Sequence, residues 1–194
     1  MRAPVRIRVL LAGLVPLLAT LACSGVTGPH SNVQVVLSAT NQATAAPAAS
    51  DNEQNGSDAL AQLDSANVTF ASFLARNSSG QLVSLGLNLP MTIDVVALLK
   101  GGGLPLPAGT LPAGDYDQIV VVMTQVELAL TNGGRVAVTP PGGGWTSVVP
   151  VTPFTVVDGQ DMTIELNLHL GGAFRSVGSS FGFYPQFEGH HHDR

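Results

Sequence analysis

The chain has 194 residues, 45% of them hydrophobic and only 11% charged, with 22 glycines, 13 prolines and a single cysteine. One cysteine excludes disulfide staples, so apolar burial has to hold the fold, and the length suffices for one good core. The formal net charge is −5 and no cluster of Lys or Arg follows the first eight residues, which argues against nucleic acid as a partner, because phosphates demand such clusters.

Met1 to Arg8 carries Arg2, Arg6 and Arg8 and no acid, and Val9 to Ala22 is then uncharged and almost wholly apolar. A membrane-spanning helix needs about 20 apolar residues, whereas this run has 14, is interrupted by Pro16 and closes on Thr20-Leu21-Ala22-Cys23. A basic flank, a short apolar run and small residues before a cysteine are the layout of a secretory signal with a lipobox. In that reading the Cys23 thiol takes a diacylglycerol and becomes the first mature residue. The rival is a plain signal cleaved near Ala22 that leaves a free thiol; Thr20 stands where leucine is usual. Ser24 rather than Asp follows the cysteine, a choice that favours the outer membrane in a diderm host.

The expected organisation is therefore a signal peptide over 1–22, a flexible tether over 23–31, one domain over 32–188 and a His-rich tail over 189–194. Without the leader, five basic residues face thirteen acids, a net charge of about −8. That balance disfavours anionic headgroups, so the membrane is expected as a partner only through the lipid.

Asn32 to Ala39 alternates like a strand, and Thr40 to about Asp58 is rich in Ala, Asn, Gln and Ser and reads as a long loop. Val68, Phe70, Ser72 and Leu74 then alternate with Thr69, Ala71 and Phe73. Asn77-Ser78-Ser79-Gly80 turns this run into Leu82, Leu85, Leu87 and Leu89, which predicts a hairpin. Thr92 to Leu99 is apolar, and Ile119 to Leu130 is the strongest strand. Thr131-Asn132-Gly133-Gly134 leads to Arg135–Val138, and Trp145 to Val151, Phe154 to Val157, Met162 to Leu170 and Phe181 to Phe187 complete the set. A helical turn is expected within 59–63 and 88–99 and no long helix. Short strands separated by Gly, Pro and Asn turns predict an all-β chain, an antiparallel β-sandwich of the immunoglobulin-like or transthyretin-like kind.

Thr92-Ile93-Asp94-Val95-Val96-Ala97-Leu98-Leu99, then Leu111-Pro112-Ala113-Gly114-Asp115-Tyr116-Asp117-Gln118-Ile119, and later Pro153-Phe154-Thr155-Val156 follow one another in an order that resembles the domain of unknown function numbered 4382. The resemblance runs from Asn32 to Glu188 and implies an exported, often lipid-anchored prokaryotic protein. It implies no catalytic residues. In place of that family's Thr-Asp-Ala-Pro turn after the first strand, this chain runs through Leu37-Ser38-Ala39-Thr40 into its Ala/Asn-rich insert.

The physics of Gly114 and Tyr116 stands apart from the resemblance. Glycine admits a backbone conformation closed to other residues at a strand entry. A tyrosine two residues on can bury its ring while its hydroxyl reaches back to the backbone.

Candidate chemistry is sparse. Gly178-Ser179-Ser180-Phe181-Gly182 has the letters of a nucleophile elbow, but that motif needs a strand-to-helix turn followed by an acid and then a histidine. A small-residue β turn fits better, and the chain is expected to be no enzyme and to need no cofactor. His190-His191-His192 are candidate metal ligands, since imidazole suits Zn, Cu or Ni. Three neighbours on a chain point in different directions, so the plainer reading is a flexible polar tail. His169 reads as a satisfied strand histidine. The pairs Asp115/Asp117 and Asp158/Asp161 lack calcium-loop spacing and read as turn acids. Trp145, the only tryptophan, follows Pro140-Pro141-Gly142-Gly143-Gly144; it is either a core cap or a contact for a glycan or protein partner.

Overall fold

The computed structural model describes residues 30–42, 53–177 and 180–193. Cys23 and the whole leader lie outside the described residues, as do Gly178 and Ser179.

The chain opens with β1 (His30–Thr40), a helix α1 (Glu53–Ala61) and the long β2 (Leu63–Asn77). β3 (Leu82–Ser84), β4 (Met91–Asp94), α2 (Val95–Gly101), β5 (Leu104–Pro105) and β6 (Gly109–Pro112) follow. Next come β7 (Gly114–Leu130), β8 (Arg135–Val138), β9 (Trp145–Val156) and β10 (Met162–His169). The one-turn α3 (Leu170–Ala173), β11 (Phe174–Val177), β12 (Ser180–Phe183) and β13 (Phe187–Asp193) end it. The chain is mostly β, as expected, and its ladders are antiparallel with one exception among the described residues.

One sheet runs β13-β10-β1, with β5 and β6 both on the far edge of β1. Here β1 and β10 pair in parallel, Val33 beside Met162 through Thr40 beside His169. Parallel neighbours need a long crossover, and this one contains the entire second sheet. That sheet is built on the β2–β7 ladder. β3 and β4 lie along the free edge of β2, and β8 and β9 along the free edge of β7. β9 absorbs Pro150 and Pro153 because it pairs with β7 alone, and proline's missing N–H is tolerated on an edge. β11 and β12 form a separate hairpin.

Both sheets feed one buried cluster. Val33, Val35, Leu37, Ile164, Leu166 and Leu168 come from the first, and Val68, Phe70, Phe73, Ile119, Val121 and Val149 from the second. Alternation explains most of this, because successive strand residues face opposite sides. β2 breaks the pattern. Phe70 pairs with Met123 and Ser72 with Val122, leaving Ala71 as a bulged residue. The bulge reverses the phase, so Phe73 and Ala75 turn inward where unbroken alternation from Val68 and Phe70 would have carried Ser72 and Leu74, and Phe73 stacks on Phe70 at 5.6 Å.

Four boundaries differ from the expected ones. β1 starts at His30 and buries Ser31, whose hydroxyl donates to the Val157 carbonyl, so the strand takes the last two tether residues. The end of the 40–58 loop is helical, since α1 begins at Glu53; its Ala59 and Leu60 are buried, and it packs on α3 and β11. The helical turn expected within 88–99 is present as α2, but it starts only at Val95 and runs to Gly101, because the Asp94 side chain accepts from the Val96 and Ala97 N–H groups. That carboxylate also accepts from Ala66 N–H at 3.0 Å, tying the cap to β2.

The fourth difference concerns the C-terminus. His190, His191 and His192 are no flexible tail. They lie in β13 and pair with Glu165, Ile164 and Thr163 of β10. The reason is Gly189, where a Cβ would stand 2.6 Å from Val151 Cγ1 and 3.0 Å from Val149 Cγ1. Glycine lets β13 settle against β9 of the other sheet, and the expected domain end at 188 moves to 193.

Candidate functional site

β8 leaves its ladder through Thr139-Pro140, makes a 3-10 turn at Pro141–Gly143, and returns as β9 with Trp145 as its first residue. Trp145 is only 6% exposed. Its ring meets Phe183 of β12 edge-on, with centroids 5.3 Å apart at 82°, and Phe183 in turn tilts against Phe174 at 5.1 Å. These contacts fasten the β11–β12 hairpin to the second sheet.

A cleft of about 660 Å³ opens between the 138–146 segment and residues 181–186. Trp145, Phe181 and Tyr184 give it aromatic walls, and Pro140, Thr139 and Gln186 add ring and polar surface. Tyr184 is 51% exposed. Its backbone N–H donates to the Ala173 carbonyl at 2.7 Å, and the Arg175 guanidinium lies 4.8 Å from its ring centre. Such a cation over an aromatic face holds the ring in place. Trp145 therefore serves as both core cap and cleft wall. Phe181 and Tyr184 were not expected at this site, because they reach it only through the hairpin contact.

The remaining candidates disperse. Gly182 of the elbow-like motif lies in β12, which runs on to β13 without a helix. Asp115 accepts from Thr155 Oγ1 at 2.6 Å, and Asp161 Oδ1 accepts from Asn32 Nδ2 at 2.9 Å. Asp117 takes a two-pronged bond from Arg76, Nε to Oδ1 at 2.9 Å and Nη2 to Oδ2 at 2.8 Å. The guanidinium, through these bonds, holds the Asp117 carboxyl below its ordinary range. These acids are structural partners.

Tyr116 is buried and stacks on Phe154 at 5.6 Å, while its hydroxyl donates to the Pro112 carbonyl at 2.9 Å. Burial pushes that phenol above its ordinary value. Gly114, at φ +153°, turns the chain into the strand. The glycine–tyrosine pair thus has the structural duty expected of it.

The three histidines divide by side. His191 faces inward, its ring 5.1 Å from Phe154. His190 and His192 face outward with Glu188, where His190 Nε2 lies 3.3 Å from Glu188 Oε1 and His192 Nε2 lies 3.6 Å from Glu165 Oε2. His169 is 4% exposed, with Nδ1 3.3 Å from Thr40 Oγ1 and Nε2 3.6 Å from Glu188 Oε2. Among the described residues, no group of three or more His, Cys, Asp or Glu side chains is placed to hold a metal ion.

Among solved structures, the chain is similar to a leucine-rich repeat protein from Bacteroides thetaiotaomicron, with 19% identity and a TM-score of 0.31. That likeness covers 74% of this chain and 14% of the other, so the chain spans a small part of that protein's length. No curated protein matches the sequence. The family described as "Domain of unknown function (DUF4382)" matches residues 55–179, which is more than half of the chain and includes the 92–99 and 111–119 motifs. The protein belongs to that DUF4382 family.

Proposed function

We propose that the chain is a lipid-anchored, non-catalytic binding module of the cell envelope. Cys23 holds it at the membrane, and a single β-sandwich carries a cleft that takes a neutral glycan. The observation that carries this reading is the Trp145–Phe181–Tyr184 cleft of about 660 Å³. Its volume falls within the roughly 300–1,000 Å³ of small-molecule sites. Aromatic rings with an apolar face and a polar edge suit a sugar, whose C–H face stacks while its hydroxyls find polar groups at the rim. The lining is aromatic, proline, hydroxyl and amide, which is a neutral set. The sandwich reading is supported by one buried cluster drawn from two sheets. The anchor is supported by the Arg-rich, apolar, Cys-ended leader.

Two experiments test the halves separately. Mass spectrometry of the mature N-terminus should find a diacylglycerol thioether on Cys23, and Cys23→Ser should release soluble protein. An unacylated terminus with unchanged fractionation contradicts the anchor. On a glycan array, the full chain should retain neutral oligosaccharides and Tyr184→Ala should lose them. No retention of any neutral glycan contradicts the cleft reading.

A further inference from the structure

The outer face of the first sheet carries a row of imidazoles and carboxylates. β13 brings Glu188, His190 and His192, and β10 brings Thr163, Glu165 and His169. The register sets Glu165 directly opposite His190, with His192 one diagonal away. Directly opposed residues have Cβ atoms about 4.5–5.5 Å apart, and residues two apart on one strand face are separated by about 6.5–7 Å. His190, His192 and Glu165 therefore form a triangle of backbone positions small enough for one ion. His191 points to the other side, against Phe154.

The side chains agree with that spacing. Ligand atoms about 2.0–2.1 Å from a tetrahedral ion sit about 3.3 Å from one another. His192 Nε2 and Glu165 Oε2 lie 3.6 Å apart, too far for a good hydrogen bond and near the ligand-to-ligand separation. His190 now turns to Glu188; its side chain is 59% exposed, so rotation toward Glu165 meets little packing. A second observation comes from Thr163, opposite His192. It is only 5% exposed, and its Oγ1 has no hydrogen-bond partner among the described residues. Buried polar groups are normally partnered, so this hydroxyl suits an outer shell around a bound ion.

We propose that His190, His192 and Glu165 bind a divalent transition ion of the zinc and copper kind on the outer face of the sheet. Two imidazoles and one carboxylate suit such ions, with solvent filling the remaining positions. The site excludes His191, although it lies between the two ligands in sequence. The inference is independent of the glycan reading.

Calorimetric titration of the full chain, purified without a histidine tag, with zinc and then copper tests it. Binding should saturate at one ion for this site, and His192→Ala and Glu165→Gln should each weaken it at least tenfold. His191→Ala should leave affinity within about twofold of the parent. Equal losses from all three histidine variants with Glu165→Gln silent would show an unstructured tail and overturn the site. The absence of saturable binding overturns it also. If His191→Ala fails to fold, as judged by circular dichroism, Glu165→Gln alone decides: unchanged affinity refutes the proposal.

Discussion

Trp145 and Phe183 meet edge to face, 5.3 Å between ring centroids, across a sequence separation that no local pattern connects. The contact joins the start of β9 to the β11–β12 hairpin and builds one wall of the cleft. Aromatic pairs in this geometry contribute about 0.5–1.5 kcal/mol beyond the area they bury. Phe183→Leu keeps apolar volume and loses the pairing with both Trp145 and Phe174. It should lower stability by about 1 kcal/mol in urea unfolding followed by tryptophan emission, and should red-shift the folded-state emission. Unchanged emission would mean that Phe183 does not set the tryptophan's surroundings.

The Tyr116 hydroxyl is a single-bond test. Its partner, the Pro112 carbonyl, lies just before the strand entry at Gly114. Tyr116→Phe should cost about 1 kcal/mol, the scale of one hydrogen bond, with ligand binding intact. Loss of binding at unchanged stability would move this residue from structural duty to the site.

Asp94 caps α2 and bonds β2 through one oxygen, accepting from Val96 and Ala97 N–H at 3.0 and 3.3 Å and from Ala66 N–H at 3.0 Å. Asp94→Ala should destabilise the fold by about 1–2 kcal/mol, at the upper end of cap losses, while Asp94→Asn retains an acceptor and most of the stability. Equal loss in both variants would show that charge rather than acceptance matters.

Arg76 and Asp117 predict an acid response. The carboxyl is held below its unfolded value, so the unfolded chain binds the proton more tightly. The pair's contribution is complete above the unfolded carboxyl value of about 3.9 and is lost as pH falls through the lower folded value. Denaturation midpoints of wild type and Asp117→Asn should therefore converge on acidification. A constant gap down to strongly acid pH contradicts the pairing. The pair is partly exposed, so the gap should also shrink in salt.

The strands were largely legible because apolar alternation has a period of two and buried faces enforce it. β1 and β10 follow it from sequence to structure, whereas β7 keeps it only in pieces, Ile119-Val121-Met123 and then Val126-Leu128. Phe73 did not, because the Ala71 bulge depends on the partner strand. His190 to His192 read as a tail for a different reason: polar residues carry no inward signal, and the ladder with Glu165, Ile164 and Thr163 is a long-range pairing. The division of the histidines between two faces follows from that ladder and could not precede it. Trp145 stood out by rarity alone, whereas Phe181 and Tyr184 reach it only through the folded hairpin.

The cleft contains the chain's only tryptophan, so its fluorescence reports on the proposed glycan site without a label. Titrating the full chain with neutral oligosaccharides should produce a saturable change in Trp145 emission for at least one of them. Tyr184→Ala should abolish that change while leaving the unfolding midpoint in place. Emission that stays flat across neutral oligosaccharides, or a change that survives Tyr184→Ala, would contradict the cleft as the binding site.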